Sequence, residues 1–397
     1  MTIDTISDLL RTANENGECV LVEGGNTLRG MGRPPLRAEV TLSTLGLDAI
    51  VENAPADLTI AVQAGVTLRK LAHALAPHGT HVPFDAPRNA EATVGGTLAA
   101  GWIGPRRHLY GRPRDFVIGS VAVLADGTIA RAGGMVVKNV SGYDMSRLYV
   151  GSFGTLAVFV QINLKTIAAP QTQRAFAMRL PEGTRERALD VLSHLDVTPA
   201  AAFWIDGFRG TIDGDDGQEG RMLVLLEGSA TSIERLTREV RSALGRAGVP
   251  ETRVIDAGAR ESFERVLDAY VASVGERSIT YRIPVFPDEA LACARDLTTL
   301  AARFELRHDA IVDAMNGDVI FRVNDLDAMA LATKIEMFDD ALHDMQPGAI
   351  VIAGNHPHRP MLAVWGSQPN AIEPMRALKA RFDPKNTLNP GRFVAGI

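Results

Sequence analysis

The stretch Ala92-Thr93-Val94-Gly95-Gly96-Thr97 has no charged or aromatic side chain, and Ala99-Ala100-Gly101 follows one residue later. It lies in the part of the chain richest in glycine, since 12 of the 60 residues from Gly95 to Gly154 are glycine. Glycine at this density, outside a repeat, marks backbone that turns sharply or approaches a ligand closely. The composition therefore predicts a ligand site in this part of the chain.

Two further stretches of small residues point the same way. The first, Glu23-Gly24-Gly25-Asn26-Thr27, directly follows an apolar run that predicts a buried strand. The second joins Gly142-Tyr143-Asp144 to the segment Gly151–Leu156. Successive backbone N–H groups in such turns can point into one concavity and bind an anion. Each stretch alone is compatible with an ordinary loop, but three together favour a shared, phosphate-rich cofactor.

The two common nucleotide-binding fingerprints are missing from the sequence. No G-x-G-x-x-G follows a strand and opens a helix, because Gly30-Met31-Gly32 runs into Pro34-Pro35, and there is no Walker loop. Beyond residue 170, strand patterns alternate with amphipathic helices. This pattern predicts an α+β domain with one antiparallel sheet and helices on one face.

Together these motifs resemble the FAD-linked oxidases, the flavoprotein family named for p-cresol methylhydroxylase and vanillyl-alcohol oxidase. The matching elements are the glycine loop after an early strand, an Ala-Thr-Val-Gly-Gly segment, Tyr110-Gly111, Gly-Tyr-Asp and Gly-Ser-x-Gly-Thr-Leu, and they occur in the family's order. The end of the chain, Phe382–Arg392, resembles the family's closing motif. The resemblance implies an α+β fold: an FAD-binding domain of the p-cresol-methylhydroxylase type, made of two α+β subdomains, and an α+β cap domain with an antiparallel sheet.

The resemblance also implies which residues contact the cofactor. FAD is expected to bind without a covalent link, because the first glycine loop contains neither histidine nor cysteine. We expect residues 1–168 to form the FAD-binding domain and residues 169–397 the cap, with 375–397 returning to the FAD domain. The residues expected to bind FAD are Gly24, Gly25, Asn26, Thr27, Pro87, Thr93, Val94, Gly95, Gly96, Gly101, Arg107, Tyr110, Gly111, Gly142, Tyr143, Asp144, Gly151, Gly154, Thr155, Leu156 and Arg392.

A narrower resemblance rests on the segments Ala100–Arg107 and Gly133–Asp144. They look like the FAD-binding subunit of bacterial glycolate oxidase. That resemblance implies oxidation of glycolate, a small 2-hydroxy acid, to glyoxylate. It also implies two partners, a second FAD-containing subunit and an iron–sulfur subunit that receives the electrons. Two alternatives stay open: an FAD-carrying structural or electron-relay subunit without turnover, and a stand-alone FAD-dependent alcohol or hydroxy-acid oxidase.

Composition limits the other possibilities. With 397 residues, 46% hydrophobic and 22% charged, the chain is an ordinary globular protein of about two or three domains. A net charge of −6 argues against a general affinity for nucleic acid. Cys19 and Cys293 are far apart, so we expect neither a metal site nor an iron–sulfur cluster held by this chain alone. The N-terminus does not resemble a signal peptide, which predicts a cytoplasmic location or an indirect membrane contact through partners.

Residues for the chemistry itself are signalled less clearly. Arg106, Arg107, His108, Arg112 and Arg114 form the densest basic cluster. It could offset the FAD diphosphate or anchor a substrate carboxylate, or it could be a solvated loop or a subunit contact. The candidates for catalysis are Arg282, Arg322 and His356. Against this, the two arginines fit equally a solvated face of an antiparallel sheet, and His356 fits a polar exit from a strand.

Overall fold

The structure, a computed structural model, describes residues 1–136, 143–180, 183–195, 198–212, 220–249, 253–255, 258–272, 278–324, 331–354 and 362–397. The helices are α1 (Ile3–Asn16), α2 (Leu68–Leu75), α3 (Val94–Ala99), α4 (Arg107–Tyr110), α5 (Met145–Tyr149), α6 (Arg185–Ser193), α7 (Ala230–Arg246), α8 (Ala259–Val271), α9 (Ala290–Arg303), α10 (Leu331–Met345) and α11 (Ile372–Phe382). The strands are β1 (Val20–Glu23), β2 (Val40–Ser43), β3 (Ile50–Ala54), β4 (Thr59–Gln63), β5 (Thr80–His81), β6 (Val117–Val123), β7 (Ile129–Gly133), β8 (Val158–Lys165), β9 (Ile167–Ala168), β10 (Thr172–Arg179), β11 (Ala201–Asp206), β12 (Arg221–Gly228), β13 (Arg253–Ile255), β14 (Ser278–Pro284), β15 (Arg307–Asp313), β16 (Asp318–Asn324) and β17 (Ile350–Gly354). None of the described helices is long and apolar enough to cross a bilayer.

The chain divides into two compact units. The first contains Met1–Gly104, Gly111–Ala169 and Gln368–Ile397, and the second contains Pro105–Tyr110 and Pro170–Ser367. Each combines helices with sheets that are mostly antiparallel, so the predicted α+β class is confirmed. The division differs from the expected domains in two places. Residues 105–110 belong to the second unit, and the returning segment begins at Gln368 instead of residue 375.

The first unit is built around a five-stranded antiparallel sheet in the order β3-β4-β8-β6-β7. The turn Asp126-Gly127 joins β6 to β7, as the sequence predicts, because Gly127 adopts the positive φ of 84° that the turn requires. Helix α1 begins after Thr2, whose hydroxyl accepts a hydrogen bond from the Thr5 N–H. Its apolar face packs into a core that includes strand β1 and its parallel partner β2.

The end of the chain completes this first unit. Leu388 forms a parallel bridge with Val20 of β1, so the C-terminal segment runs beside the first strand. A buried ion pair holds it there: Lys379 Nζ lies 2.6 Å from Asp383 Oδ2 and also donates to the carbonyls of Thr155 and Leu388. Asp383 in turn accepts hydrogen bonds from the backbone N–H groups of Thr387 and Leu388. The ion pair therefore connects the end of the chain to the segment before β8.

The second unit contains an eight-stranded sheet in the order β13-β10-β12-β11-β15-β16-β14-β17, and all of its pairings are antiparallel. Helices α6, α7, α9 and α10 pack their apolar residues on one face of it. The expectation that the helices share one face is wrong, because α8 covers the opposite face. Phe263 of α8 lies 6.1 Å, ring to ring, from Phe203 of β11, whose neighbours Ala202 and Trp204 point the other way.

The ion pair in α11 leads to a stability prediction. Lys379→Met leaves the buried Asp383 carboxylate without its cation, so the free energy of unfolding should fall by about 3 kcal/mol. Arg376→Met is the matched control in the same helix, because Arg376 pairs with Glu373 at the surface, and such exposed pairs contribute roughly 0.5 kcal/mol. Urea denaturation of both variants measures the difference. Equal losses would mean that the buried pair has no special role.

Candidate cofactor site

A cleft of about 630 Å³, part of it open to solvent, lies within the first unit at the end of β1. Its walls are the loop that follows β1, one side of α3 and side chains near the end of the chain. A neighbouring cleft of about 400 Å³ shares part of this wall, including Val22, Gly96, Phe153 and Asn389. The small-residue stretches thus meet at one concave surface.

The loop after β1 presents backbone donors to the cleft. The N–H groups of Gly24, Gly25, Asn26 and Thr27 have no acceptor among the described residues, and all four residues line the cleft. Asn26 has a left-handed backbone, with φ of 56°, a conformation that asparagine tolerates better than most residues. Consecutive free N–H groups in such a turn form a nest for an anion. The loop is therefore suited to bind a phosphate group.

Two arginines add positive charge to the same cleft. Arg29 and Arg392 both line it, and Glu23 lies 3.8 Å from the Arg29 guanidinium. Burial lowers the pKa of Arg392, and repulsion by Arg29 lowers it further. An anion between the two guanidinium groups would relieve that repulsion. Together with the free N–H groups, the two cations fit a diphosphate.

Glycine in and around α3 has a second role, in packing. A Cβ atom on Gly95 would lie 2.7 Å from the Cβ of Ala64, and one on Gly101 would lie 2.8 Å from the Cα of Gly151. A Cβ on Gly25 would overlap the carbonyl oxygen of Glu91. Real Cβ atoms do not approach other atoms so closely, so backbone packing accounts for these glycines. Part of the glycine density therefore has a packing reason, although Gly25 and Gly95 also line the clefts.

The structure places the residues expected to bind FAD in four groups. Those that line the two clefts are Gly24, Gly25, Asn26, Thr27, Thr93, Gly95, Gly96, Gly154 and Arg392. Those that lie in the first unit but line neither cleft are Pro87, Val94, Gly101, Gly111, Tyr143, Asp144, Gly151, Thr155 and Leu156. Arg107 and Tyr110 belong to the second unit. Gly142, together with the catalytic candidate His356, lies outside the described residues.

Sequence reasoning missed two residues that line both clefts, Phe153 and Asn389. Phe153 has a left-handed backbone, with φ of 56°, and its ring stacks on Phe393 with 5.7 Å between centroids. Asn389 is buried and bonds to both β1 and Phe153. The closing motif Leu388-Asn389-Pro390-Gly391 was the available signal, but the motif alone does not show which of its side chains faces inward.

The basic cluster is neutralised inside the second unit. Arg106 Nη1 donates to Glu227 Oε1 at 2.8 Å, and the Tyr110 hydroxyl donates to Glu227 Oε2 at 2.7 Å. Arg107 Nη1 donates to Asp318 Oδ2 at 2.7 Å. These contacts replace the expected roles of a diphosphate counter-charge or a substrate anchor with internal ion pairs. Arg112 and Arg114 are exposed in the first unit, so the cluster is divided between the units.

Arg282 and Arg322 do not lie on a solvated sheet face. Arg282 donates to Asp318 Oδ2 at 2.6 Å, and Arg322 Nε donates to Asp309 Oδ2 at 2.9 Å. The Arg322 side chain is 4% exposed. The expectation of a solvated face is wrong because α8 covers this side of the sheet. As catalytic candidates, both arginines are already paired with carboxylates.

The Asp318 carboxylate has a second acidic neighbour, Asp313. Burial and, to a smaller extent, the negative charge of Asp318 raise the pKa of Asp313 to about 7, against the opposing effect of Arg107. Asn316 Nδ2 donates to Asp313 Oδ2 at 2.8 Å. The pKa of Asp318 is lowered, because Arg282 and Arg107 outweigh the effect of its burial. Within one buried cluster, the pKa of Asp313 is thus raised and the pKa of Asp318 is lowered.

Two family models match the chain. The FAD binding domain matches residues 1–133, and the C-terminal domain of FAD linked oxidases matches residues 365–393. The first match contains the loop after β1 and α3, and the second contains the returning C-terminal segment. The two matched segments therefore contain most of the walls of the cleft.

Curated relatives and solved structures agree with these matches. The glycolate oxidase subunit GlcD of Bacillus subtilis is 26% identical over 99% of this chain and 87% of its own length. The subunit GlcE of Escherichia coli is 39% identical over 49% of this chain and 57% of its own length. The D-lactate dehydrogenase of Archaeoglobus fulgidus is 27% identical over 98% of this chain and 89% of its own. A p-cresol methylhydroxylase structure, 16% identical, superposes with a TM-score of 0.73 over 98% of this chain and 87% of that chain, which shows the same fold.

The buried carboxyl pair predicts a pH dependence of stability. The folded-state pKa of Asp313 lies above that of an unfolded aspartate. The contribution of Asp313 to the free energy of unfolding is therefore complete at acid pH, and it is lost as the pH rises through about 7. Asp313→Asn cannot ionise and keeps an acceptor for Asn316. Between about pH 5 and about pH 8, the variant should therefore lose roughly 2 kcal/mol less stability than the unaltered protein.

Urea denaturation at several pH values measures this difference. Asp288→Asn, which removes an exposed carboxylate of the same unit, is the control and should follow the unaltered protein. Parallel pH profiles for the Asp313 variant and the unaltered protein would contradict the assignment of the proton to Asp313.

Proposed function

We propose that this chain, which matches two domains of the FAD-linked oxidases, oxidises a small 2-hydroxy acid, glycolate, as one subunit of a larger complex. It is a FAD-dependent oxidoreductase that acts on CH–OH donors, and the prediction of FAD as its cofactor is confirmed. The three curated relatives named above are a D-lactate dehydrogenase and two glycolate oxidase subunits, and glycolate and D-lactate are both 2-hydroxy acids. Glycolate as the substrate and glyoxylate as the product are proposals.

The observation that carries the proposal is the anion nest beside two arginines. Four free N–H groups from Gly24 to Thr27 and the guanidinium groups of Arg29 and Arg392 face one cleft. This donor set has the charge and the hydrogen-bond donors that a cofactor diphosphate needs. When bound, FAD supplies the acceptor for the hydride from the substrate α-carbon. The described residues of the first unit bind and orient the cofactor.

We propose two partners, a second FAD-containing subunit and an iron–sulfur subunit that takes the electrons. The similarity to both GlcD and GlcE, two subunits of glycolate oxidase, supports such an assembly. In this chain no cysteine cluster is available, because its two cysteines, Cys19 and Cys293, are 274 positions apart. An iron–sulfur centre would therefore have to be supplied by another chain, and any membrane contact would come through partners.

The second candidate function is an electron-relay subunit that holds FAD but does not oxidise a substrate. It is favoured by the pairing of Arg282 with Asp318 and of Arg322 with Asp309. A carboxylate substrate needs a cation, and these two are occupied by internal carboxylates. A stand-alone oxidase, the third possibility, has no specific observation in its favour.

Anaerobic reduction of the purified holoprotein distinguishes these functions. We expect the FAD-loaded chain, alone or co-purified with its partners, to lose its yellow colour when glycolate is added, with glyoxylate formed in equal amount. D-lactate is the comparison substrate. A chain that keeps FAD but is reduced only through the partner flavoprotein would support the relay. A chain that retains no FAD would refute the cofactor site.

Arg392 gives a quantitative test of the diphosphate site. Arg392→Met should raise the dissociation constant for FAD about tenfold, because a charge-assisted contact contributes on the order of 1.5 kcal/mol. Arg11→Met is the control, since Arg11 is exposed on α1 and pairs only with Asp8 among the contacts of the described residues. Fluorescence titration with FAD measures both. An unchanged constant for the Arg392 variant would place the diphosphate elsewhere.

A further inference from the structure

Asn389 occupies a special place in the wall of the cleft. Its side chain lies between the end of β1 and the turn at Phe153, and it lines both clefts. The amide oxygen accepts the Val22 N–H at 2.9 Å, and the amide nitrogen donates to the Phe153 carbonyl at 2.7 Å. One side chain from the C-terminal segment thus bonds to two other segments of the first unit.

The geometry requires an amide at this position. The residue is 3% exposed, so a broken hydrogen bond could not be replaced by bulk water. An aspartate of the same shape keeps the acceptor for Val22 but has no donor for the Phe153 carbonyl, and it brings two oxygens together. The backbone of Asn389 is left-handed, with φ of 44°, which asparagine and glycine tolerate best. Shape, donor and backbone conformation all select asparagine.

Both segments that Asn389 joins contribute to the cofactor cleft. Val22 is followed after one residue by the loop Gly24–Thr27, whose free N–H groups form the anion nest. Phe153 has its own left-handed backbone and forms part of the facing wall. A Cβ on the next residue, Gly154, would lie 2.8 Å from the Asn389 amide nitrogen. The amide therefore sets the distance between the nest and the Phe153 turn.

The segment that carries Asn389 is itself held firmly. Its backbone N–H donates to the Val20 carbonyl at 3.0 Å, and the Val20 N–H donates to the Thr387 carbonyl at 2.7 Å. Lys379 Nζ donates to the carbonyls of Leu388, at 3.0 Å, and Thr155, at 2.9 Å. Because the neighbours of Asn389 and of Phe153 are bonded to the same ammonium group, the amide bridges two segments that are already close. Its contribution is the final alignment of the cleft wall.

We propose that Asn389 is a positioning residue for FAD: its amide fixes the spacing between the Gly24–Thr27 nest and the Phe153 turn, and so the geometry in which the cofactor is held. This inference rests on the proposed FAD-binding function. Asn389 acts through the backbone of Val22 and Phe153, so its replacement should change how FAD is held as well as how tightly.

The test compares two Asn→Asp variants of the full chain. Asn389→Asp removes the donor to Phe153 and adds a buried charge, whereas Asn386→Asp makes the same chemical change at an exposed, equally left-handed position, with φ of 57°. We expect Asn389→Asp to weaken FAD binding at least about tenfold, because the variant loses a buried hydrogen bond and gains a buried charge. Asn386→Asp should leave FAD binding unchanged. The melting temperature of each apoprotein identifies a general loss of stability.

The second measurement is the visible circular dichroism of bound flavin at saturating FAD. A merely structural role would lower the melting temperature and leave this spectrum unaltered, whereas a positioning role changes its shape. If Asn389→Asp does not fold, Asn389→Gly replaces it, since glycine accepts the left-handed backbone and adds no charge. The inference would be overturned if the folded variant kept both its FAD affinity and its spectrum. In that case, FAD binding by the unaltered chain would still uphold the proposed function. An unaltered chain that binds no FAD overturns both.

Discussion

The buried ion pair between Lys379 and Asp383 fixes where the end of the chain meets its beginning. Lys379 donates to the carbonyls of Thr155 and Leu388, and Asp383 accepts hydrogen bonds from the N–H groups of Thr387 and Leu388. A buried ammonium is costly unless its protons are satisfied, and here three oxygens satisfy them. The pair adds to the backbone hydrogen bonds that hold the C-terminal segment in register beside β1. The cofactor cleft depends on that register, because Asn389 and Arg392 reach it from the C-terminal side.

Glycine content indicated where in the sequence the cleft residues lie. It did not distinguish glycines that line the cleft from glycines that allow close packing of backbone against backbone. Gly24–Thr27, Thr93 and Gly96 line the cleft as expected, because short loops after strands leave their N–H groups free. Gly101 instead allows the turn after α3 to approach the backbone of Gly151. Both uses remove a Cβ for the same steric reason, so a single sequence cannot distinguish a backbone that approaches a ligand from one that approaches another backbone. The strand before the first glycine loop and the α+β pattern beyond residue 170 needed only local patterns, and they were predictable.

Charged residues were harder to assign because their partners are distant in the chain. Arg107 meets Asp318, and Arg106 meets Glu227, across separations of 211 and 121 positions. Nothing local in the sequence indicates that residues 105–110, which lie within the glycine-rich region, belong to the second unit. The alternation of β14 placed Arg282 on the polar face of a strand correctly. It could not show that α8 covers this face, and burial then turns a solvated arginine into half of an ion pair.

The overall charge of the chain illustrates why local arrangement matters more than the total for an anionic cofactor. A net charge of −6 opposes the binding of a diphosphate only over distances that salt does not screen, and at physiological ionic strength screening is effective beyond roughly 8 Å. In the wall of the cleft, Arg29, Arg392 and four backbone N–H groups outnumber the carboxylate of Glu23. The nest is also rigid, because β1 is paired on one side with β2 and on the other with the C-terminal segment. Donors held in place before the ligand arrives lose little entropy on binding, so an acidic protein can hold FAD at a small, locally positive surface built from both ends of its chain.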